Sequence, residues 1–230
     1  MLGNFVIGTG VLLPAGLLND FSADFAISAS KAGLMLFFGG LVVGVGAPVF
    51  AAFTSKIERR YVLTFALALY ALGHLAASWA TSFEWQLFIR ALTVIGAAIF
   101  TPQAASTVGL LVPPERRAGA IAFIFIGWSA ASVAGIPLGT LLSDAFGWRT
   151  VYMLMAMLSI FAALCVWCTL KPRLFVTPLS VAAWKQTFSS PLLWLVFMVT
   201  LCSMSAQFTM FSYIAPILRD GFAATPVMIS

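Results

Sequence analysis

Arg90 is the first residue whose chemistry this sequence must explain. It lies in the run Leu87 to Val112, which carries no other charge. A guanidinium stays protonated throughout the physiological range and presents its donors in a rigid planar fork. At the centre of a membrane span it costs about 2.5–3.5 kcal/mol on insertion scales, and a residue that costly is functional by default. Two readings compete. Arg90 either serves a function inside the protein, or it snorkels to the outer interface past Glu84. Glu84 stands six residues earlier, roughly 9 Å along a helix. Gln103, after Pro102, and Gln207, in a later apolar run, each carry an amide donor and acceptor. Such amides serve a solute in a cavity or a neighbouring helix equally well.

Other chemistries are excluded or weakened by the same reading. His74 is the single histidine, so a multi-histidine metal site is ruled out; it reads as a packed or hydrogen-bonded helix residue. Cys165 and Cys168 form a CxxC, but inside an apolar run. A redox role needs a soluble thioredoxin-like setting, so small packing residues are expected here. No paired carboxylates and no Ser–His–Asp set lie within the apolar runs. The expectation is a protein that is not an enzyme and holds no metal or cofactor.

The elements that carry these residues follow from composition. The 230 residues are 62% hydrophobic and 8% charged, against about 25% charged in a soluble domain. The net charge of +5 does not mark a nucleic-acid partner, because the cations sit between apolar runs rather than on one basic face. Spans of about 20 apolar residues cross a bilayer, and only helices satisfy their own backbone there. Seven runs qualify: Leu2 to Leu18, Ala32 to Phe53, Tyr61 to Ala80, Leu87 to Val112, Ala118 to Ser143, Val151 to Leu170, and Leu192 to Leu218. Met1 leads directly into apolar sequence and the first cation is Lys31, so no signal peptide is expected. Asp20, Asp24, Glu58 and Glu84 all fall in connecting segments on this reading, leaving no proton-carrying carboxylate within the first four spans.

Connections of one parity hold Lys56, Arg59, Arg60, Arg116, Arg117, Lys171, Arg173 and Lys185, eight cations; those of the other hold Lys31, Arg149 and Arg219, three. The positive-inside rule places the eight-cation side, and with it the N-terminus, in the cytoplasm.

The chain also repeats itself weakly. Shifted by 88 residues, Gly8 to Pro14 lies over Gly96 to Pro102; shifted by 89, Gly46-Ala47-Pro48 lies over Gly135-Ile136-Pro137, and Arg60 over Arg149. The unit is three spans, an odd number, so successive units are inverted in the membrane. Inverted repeats of Gly/Pro-bearing helices characterise secondary transporters, with the substrate site at their interface. An offset of 200 aligns Ala215-Pro216 with Ala15-Gly16, which makes span seven the first helix of a third unit. The same offset starts the first helix about nine residues before Met1 and an eighth near position 232, so the sequence reads as clipped at both ends. Span five carries Gly127, Ala131, Gly135 and Gly139 at intervals of four, with Pro137 among them. That ridge lets another helix come close, either as static packing or as a smooth face for rocking.

Four stretches resemble the major facilitator superfamily, in its twelve-helix drug:proton antiporter branch with the bacterial sugar- and arabinose-efflux permeases. Gly127 with Gly135-Ile136-Pro137-Leu138-Gly139 resembles the antiporter signature of the fifth helix, and Gly147-Trp148-Arg149 follows it. Arg90-Ala91-Leu92-Thr93 resembles the fourth-helix motif, and Thr54 to Arg60 the loop motif between helices two and three. Lys56, Arg59 and Arg60 keep the positive charge of that loop, but Ser55 stands at its usual Asp and Glu58 at its usual Gly. Gly10 stands where related exporters often carry an acid. The resemblance implies an all-α integral membrane protein: a six-helix N-terminal bundle of two inverted three-helix repeats at 1–170, a cytoplasmic inter-bundle loop at 171–191, and the first helix of a second bundle at 192–230. It also implies proton-coupled efflux of a small organic solute from the bacterial inner membrane and supports Arg90 as a site residue, with Gln103 and Gln207 as cavity candidates from the residues alone. The rival reading is a non-transporting remnant or a module that packs on another membrane protein.

Overall fold

The computed structural model describes the backbone of residues 1–175 and 181–222, and the side chains of 1–175 and 185–207. Among the described residues the regular structure is helical throughout. Five helical stretches are long and apolar enough to cross a membrane, or six when a bent pair near the N-terminus is taken as one span. The chain divides into two units, Met1–Pro178 and Leu179–Ser230.

In the first unit, α1 (Leu2–Gly16) is followed by α2 (Leu18–Asp24), turned 58° away from it. The sequence reading placed Asn19 to Lys31 in a polar connection; the structure corrects this. Phe21 and Phe25 pack on Trp148, with ring centroids 5.1 and 5.7 Å apart, and this apolar anchorage keeps the segment helical. Asp20 and Asp24 therefore lie on a helix. A short α3 (Ala29–Ala32), capped by Ser28, leads into α4 (Leu34–Thr54). α5 is Arg59–Ser78 and α6 is Phe83–Leu111. α6 begins four residues before the expected Leu87, because the Ser82 hydroxyl accepts the Trp85 N–H at 3.3 Å and caps it. Glu84 thus falls in the first helical turn rather than in a connection, where its negative charge suits the helix dipole.

Span five is one helical stretch with an irregular turn inside it. α7 (Arg117–Ala130) passes through a π-helical turn at Ala131–Gly135 into α8 (Ile136–Phe146). Pro137 has no N–H to return to the carbonyl four residues back. The chain widens instead, and Ile136 donates to Ala131 across five residues. α9 (Trp148–Thr169) completes the unit.

The pairings obey the two-fold relation that an inverted repeat demands. α1 packs on α7 and α8 as α4 packs on α6, and α5 pairs with α9, each the third helix of its repeat. After α9 the backbone turns through Arg173, at φ +67°, and the Leu174 carbonyl accepts the Arg59 N–H at 2.8 Å. That bond satisfies one of the donors left open at the start of α5.

The second unit holds α10 (Val181–Ser189) and α11 (Pro191–Phe222). A helix therefore occupies part of the stretch 171–191 read from sequence as a connection. Trp194 donates its indole N–H to the Phe188 carbonyl at 2.8 Å and ties the two together. Residues 176–180 and 223–230 of the predicted connection and third unit lie outside the described residues.

The glycine ridge of span five packs on α1. A Cβ at Gly127 would stand 2.6 Å from the Met1 carbonyl oxygen and 2.7 Å from the Phe5 nitrogen; at Gly135 and Gly139 it would strike the side chains of Thr9 and Leu13. Backbone atoms cannot yield as a side chain can. Gly127→Ala is therefore expected to destabilise the unit by about 1–3 kcal/mol through overpacking. Phe123→Leu, at an exposed position of the same helix, is expected to change stability by less than about 0.5 kcal/mol. Thermal unfolding of the two variants in one detergent checks this: equal midpoints would show that the ridge does not carry the packing.

Candidate functional site

The site begins at a proline. Pro14 cannot donate to the carbonyl of Gly10, so α1 carries an acceptor that its own backbone leaves open. Arg90, seven residues into α6, reaches across. Its Nη1 donates to the Gly10 carbonyl and its Nη2 to the Val11 carbonyl, both at 2.8 Å. The fork of a guanidinium fits two successive carbonyls as a point charge would not. Gly39 of α4 lies along the other side, where a Cβ would sit 3.5 Å from Arg90 Nε. Arg90 is 3% exposed. Its side chain lies inside the bundle, and the snorkelling alternative is not what the geometry shows.

Around the same point stand His74, packed and hydrogen-bonded as its sequence setting suggested, and polar groups that the sequence did not mark. The Tyr70 hydroxyl donates to the Ile7 carbonyl at 3.0 Å. His74 is fully buried, with Nδ1 2.9 Å from the Tyr70 carbonyl oxygen. Its ring centroid lies 4.4 Å from that of Tyr70 and 5.3 Å from that of Tyr152. Gln86, one turn before Arg90, is buried as well. Spacing offered a signal: Tyr70 and His74 are four apart, as are Gln86 and Arg90, so each pair shares a helix face.

Gln103 lies elsewhere. Its Oε1 accepts from Arg59 Nη1, and its amide donates to Thr54 Oγ1 at 3.0 Å. Arg59 Nη2 also donates to the Ser55 carbonyl at 3.3 Å. Two residues nominated separately, one for a cavity and one for a loop motif, are thus partners in an interhelical clamp joining the end of α4 and the start of α5 to α6. Arg60 stacks on the Trp167 ring 3.9 Å from its centroid, and Lys56 is exposed. Gln207 is exposed on α11, in the second unit. Gly127, Gly135 and Gly139 pack against α1, whose Gly10 and Val11 carbonyls hold Arg90, and Pro137 stands in the first turn of α8.

The opposite end of the bundle has its own ties. Arg149 pairs with Asp24 at 2.9 Å, donates to the Ala80 carbonyl at 3.0 Å, and lies over the Trp148 ring. Ser143 donates to the Asp20 carboxylate. Lys31 and Glu84 form an exposed pair at 3.1 Å. The carboxylates of this half all lie near helix ends; the buried cations among the described residues are Arg90 and Arg59, each held by neutral acceptors.

The proline and the arginine are energetically coupled. Arg90→Ala leaves the Gly10 carbonyl buried and unpaired, at a cost of about 1–3 kcal/mol. In a Pro14→Ala background, residue 14 regains an N–H for that carbonyl. A double-mutant cycle on thermal stability should therefore show the cost of Arg90→Ala shrinking by about 0.5–3 kcal/mol. Strict additivity would mean that the arginine does not substitute for the missing backbone bond.

Comparison with known proteins gives this geometry a family. The chain is 34% identical to a probable sugar efflux transporter of Pasteurella multocida, over 95% of this chain and 54% of that protein. It is 27% identical to the inner membrane transport protein YdhP of Escherichia coli K12, over the whole chain and 59% of the relative. An uncharacterised transporter of Bacillus subtilis, YtbD, matches at 28% over 98% of the chain and 58% of its own length. The chain spans between half and three fifths of these relatives. Among solved structures, a bacterial homologue of the human lysosomal transporter Spinster superposes with a TM-score of 0.72 at 21% identity, covering 97% of this chain and 54% of that one. The xylose transporter XylE of Escherichia coli superposes at 0.62 and 15%, covering 74% and 46%. These two show the fold. The family model described as the Major Facilitator Superfamily matches residues 1–230, and the chain belongs to that superfamily of membrane transporters.

Proposed function

We propose that this chain forms the first bundle of a secondary transporter that exports a small organic solute, a sugar-like molecule being the first class to test. The observation that carries the reading is the 34% identity, along nearly the whole chain, to a protein named as a probable sugar efflux transporter. Residues 1–170 act as the bundle, 171–191 as the connection, and 192–230 as the start of a second bundle. Arg90 keeps α1 seated against α6, beside the face at which a partner bundle closes a cavity, and Gln207 contributes from the second unit. Coupling to protons is part of the proposal. The eight cations of one set of connections against three of the other support an N-terminus in the cytoplasm.

The test of function is efflux from cells carrying this sequence joined in frame to the remaining half of the Pasteurella multocida relative. Accumulation of radiolabelled sugars should fall below that in empty-vector cells, and an uncoupler should restore it. Arg90→Ala should abolish the difference while the protein still inserts, and Arg90→Lys should restore only part of it, because an ammonium lacks the planar fork. A protein present in the membrane that lowers the level of no solute in the panel would overturn the reading.

Orientation is tested separately. Reporter fusions after Arg60, Arg117 and Lys185 should report cytoplasm, and fusions after Ser28 and Glu84 periplasm. The reverse pattern would defeat the assignment.

A further inference from the structure

The interior of the first unit holds a set of polar atoms that its helices do not satisfy. His74 Nε2, both amide atoms of Gln86, Arg90 Nε and the Tyr152 hydroxyl are buried and make no hydrogen bond of good geometry, although Tyr152 and Gln86 lie within reach of one another. They come from α5, α6 and α9, and they meet at one place. Tyr152 stacks near the His74 ring at 5.3 Å and lies beside Gln86; Arg90 lies beside Tyr70. The backbone of α1 closes the group, since a Cβ at Gly10 would come within 2.7 Å of His74 Nε2 and nearer still to the Tyr70 hydroxyl.

Chemistry sorts these atoms into complementary halves. A carbonyl oxygen only accepts, so the 2.9 Å contact between His74 Nδ1 and the Tyr70 carbonyl places the proton on Nδ1. In the neutral ring Nε2 is then an acceptor, joined by Gln86 Oε1. Arg90 Nε and Gln86 Nε2 are donors, and a tyrosine hydroxyl is both. A molecule that donates twice and accepts twice pairs with such a set, and water is the one small enough for a packed interior. Buried waters in proteins typically make about three hydrogen bonds to such groups.

We propose that His74, Gln86, Arg90 and Tyr152 form a buried water-binding site where α5, α6 and α9 meet behind Gly10. The water completes the hydrogen bonding of Arg90 on the side away from α1, so the residue that holds the opened carbonyls of α1 is itself oriented from behind. Gly10 belongs to the site by lacking a side chain: any Cβ there would press on the imidazole edge that faces the cluster. The inference rests on the packing of the unit alone and is independent of what the protein transports.

Because His74 is the only histidine, labelling the whole chain with 15N-histidine gives a single imidazole spectrum. Solid-state NMR of the labelled protein in lipid bilayers, with magnetisation transferred from water, reads the site directly. The expected result is a neutral ring protonated at Nδ1, with Nε2 shifted as a hydrogen-bond acceptor and receiving transfer from water. In Gln86→Leu, folded by size-exclusion profile, the transfer to Nε2 should fall at least several-fold. Tyr152→Phe removes a single oxygen and offers a second, gentler variant with the same expected direction. An Nε2 that receives no transfer in the unsubstituted chain, or one whose transfer is unchanged in both variants, would overturn the proposal.

Discussion

One constraint organises the first unit: a backbone carbonyl that loses its helical partner inside a membrane has no bulk water to turn to. Prolines in α1, α4 and α6 and at the start of α8 impose that constraint repeatedly. Two solutions are visible. At Pro137 the chain helps itself, widening into a π turn so that Ile136 reaches Ala131. At Pro14 it recruits a side chain from another helix, and the arginine that arrives bonds two carbonyls at once. The first solution is local and leaves the helix independent. The second makes the shape of α1 depend on α6, so the two inverted repeats are joined at the point where one of them is broken.

The same repeat produces matched ends with unlike chemistry. Arg60 and Arg149 stand at equivalent positions, 89 residues apart, and each lies over a tryptophan ring, Trp167 and Trp148 respectively. Cation–π contact of this kind holds a guanidinium without demanding a carboxylate. Beyond that the ends diverge. Arg149 also has Asp24, whereas the Arg59 clamp is built from Gln103, Thr54 and a backbone carbonyl. Ser55, at the position where the resembling loop motif carries an acid, sends its hydroxyl to Ala52. The clamp is therefore charged on one side only, and its strength comes from directed hydrogen bonds rather than ion pairing. Such a junction is less sensitive to salt than an exposed pair such as Lys31–Glu84.

The helical class and most of the apolar runs were legible because a long apolar run leaves a mark that needs no partner, and the charge within one of them singled out Arg90, which the fold buries. The ridge of Gly127, Gly135 and Gly139 was legible as a ridge, since spacing by four defines a face. What escaped were properties that exist only between elements. Asn19 to Lys31 looked like a polar connection because its aromatics, Phe21 and Phe25, declare their role only against Trp148 and Tyr152. An amide such as Gln103 serves solute and helix alike, and its contact with Arg59 exists only between elements. The partner of Arg90 was derivable in part. Pro14 opens the carbonyl of Gly10 by arithmetic alone, but that a residue 80 positions away fills it required the fold.

Where the glycines face bears on how such a bundle can move. A signature of small residues beside a proline invites the idea of a helix that rocks against a partner. Yet Gly127, Gly135 and Gly139 face α1 of their own bundle, with backbone against backbone at Gly127. An interface that close has no slack, and interiors packed to this degree switch between discrete arrangements rather than deform. The ridge therefore favours a bundle that moves as one body. A surface that slides needs smoothness without engagement. Among the described residues α4 presents it: Gly40 and Gly44 meet nothing within contact distance, between the exposed side chains of Phe37, Leu41 and Val45. The two glycine-bearing helices are equivalent in the repeat and differ in packing: the glycines of span five meet α1, whereas Gly40 and Gly44 of α4 meet nothing within contact distance.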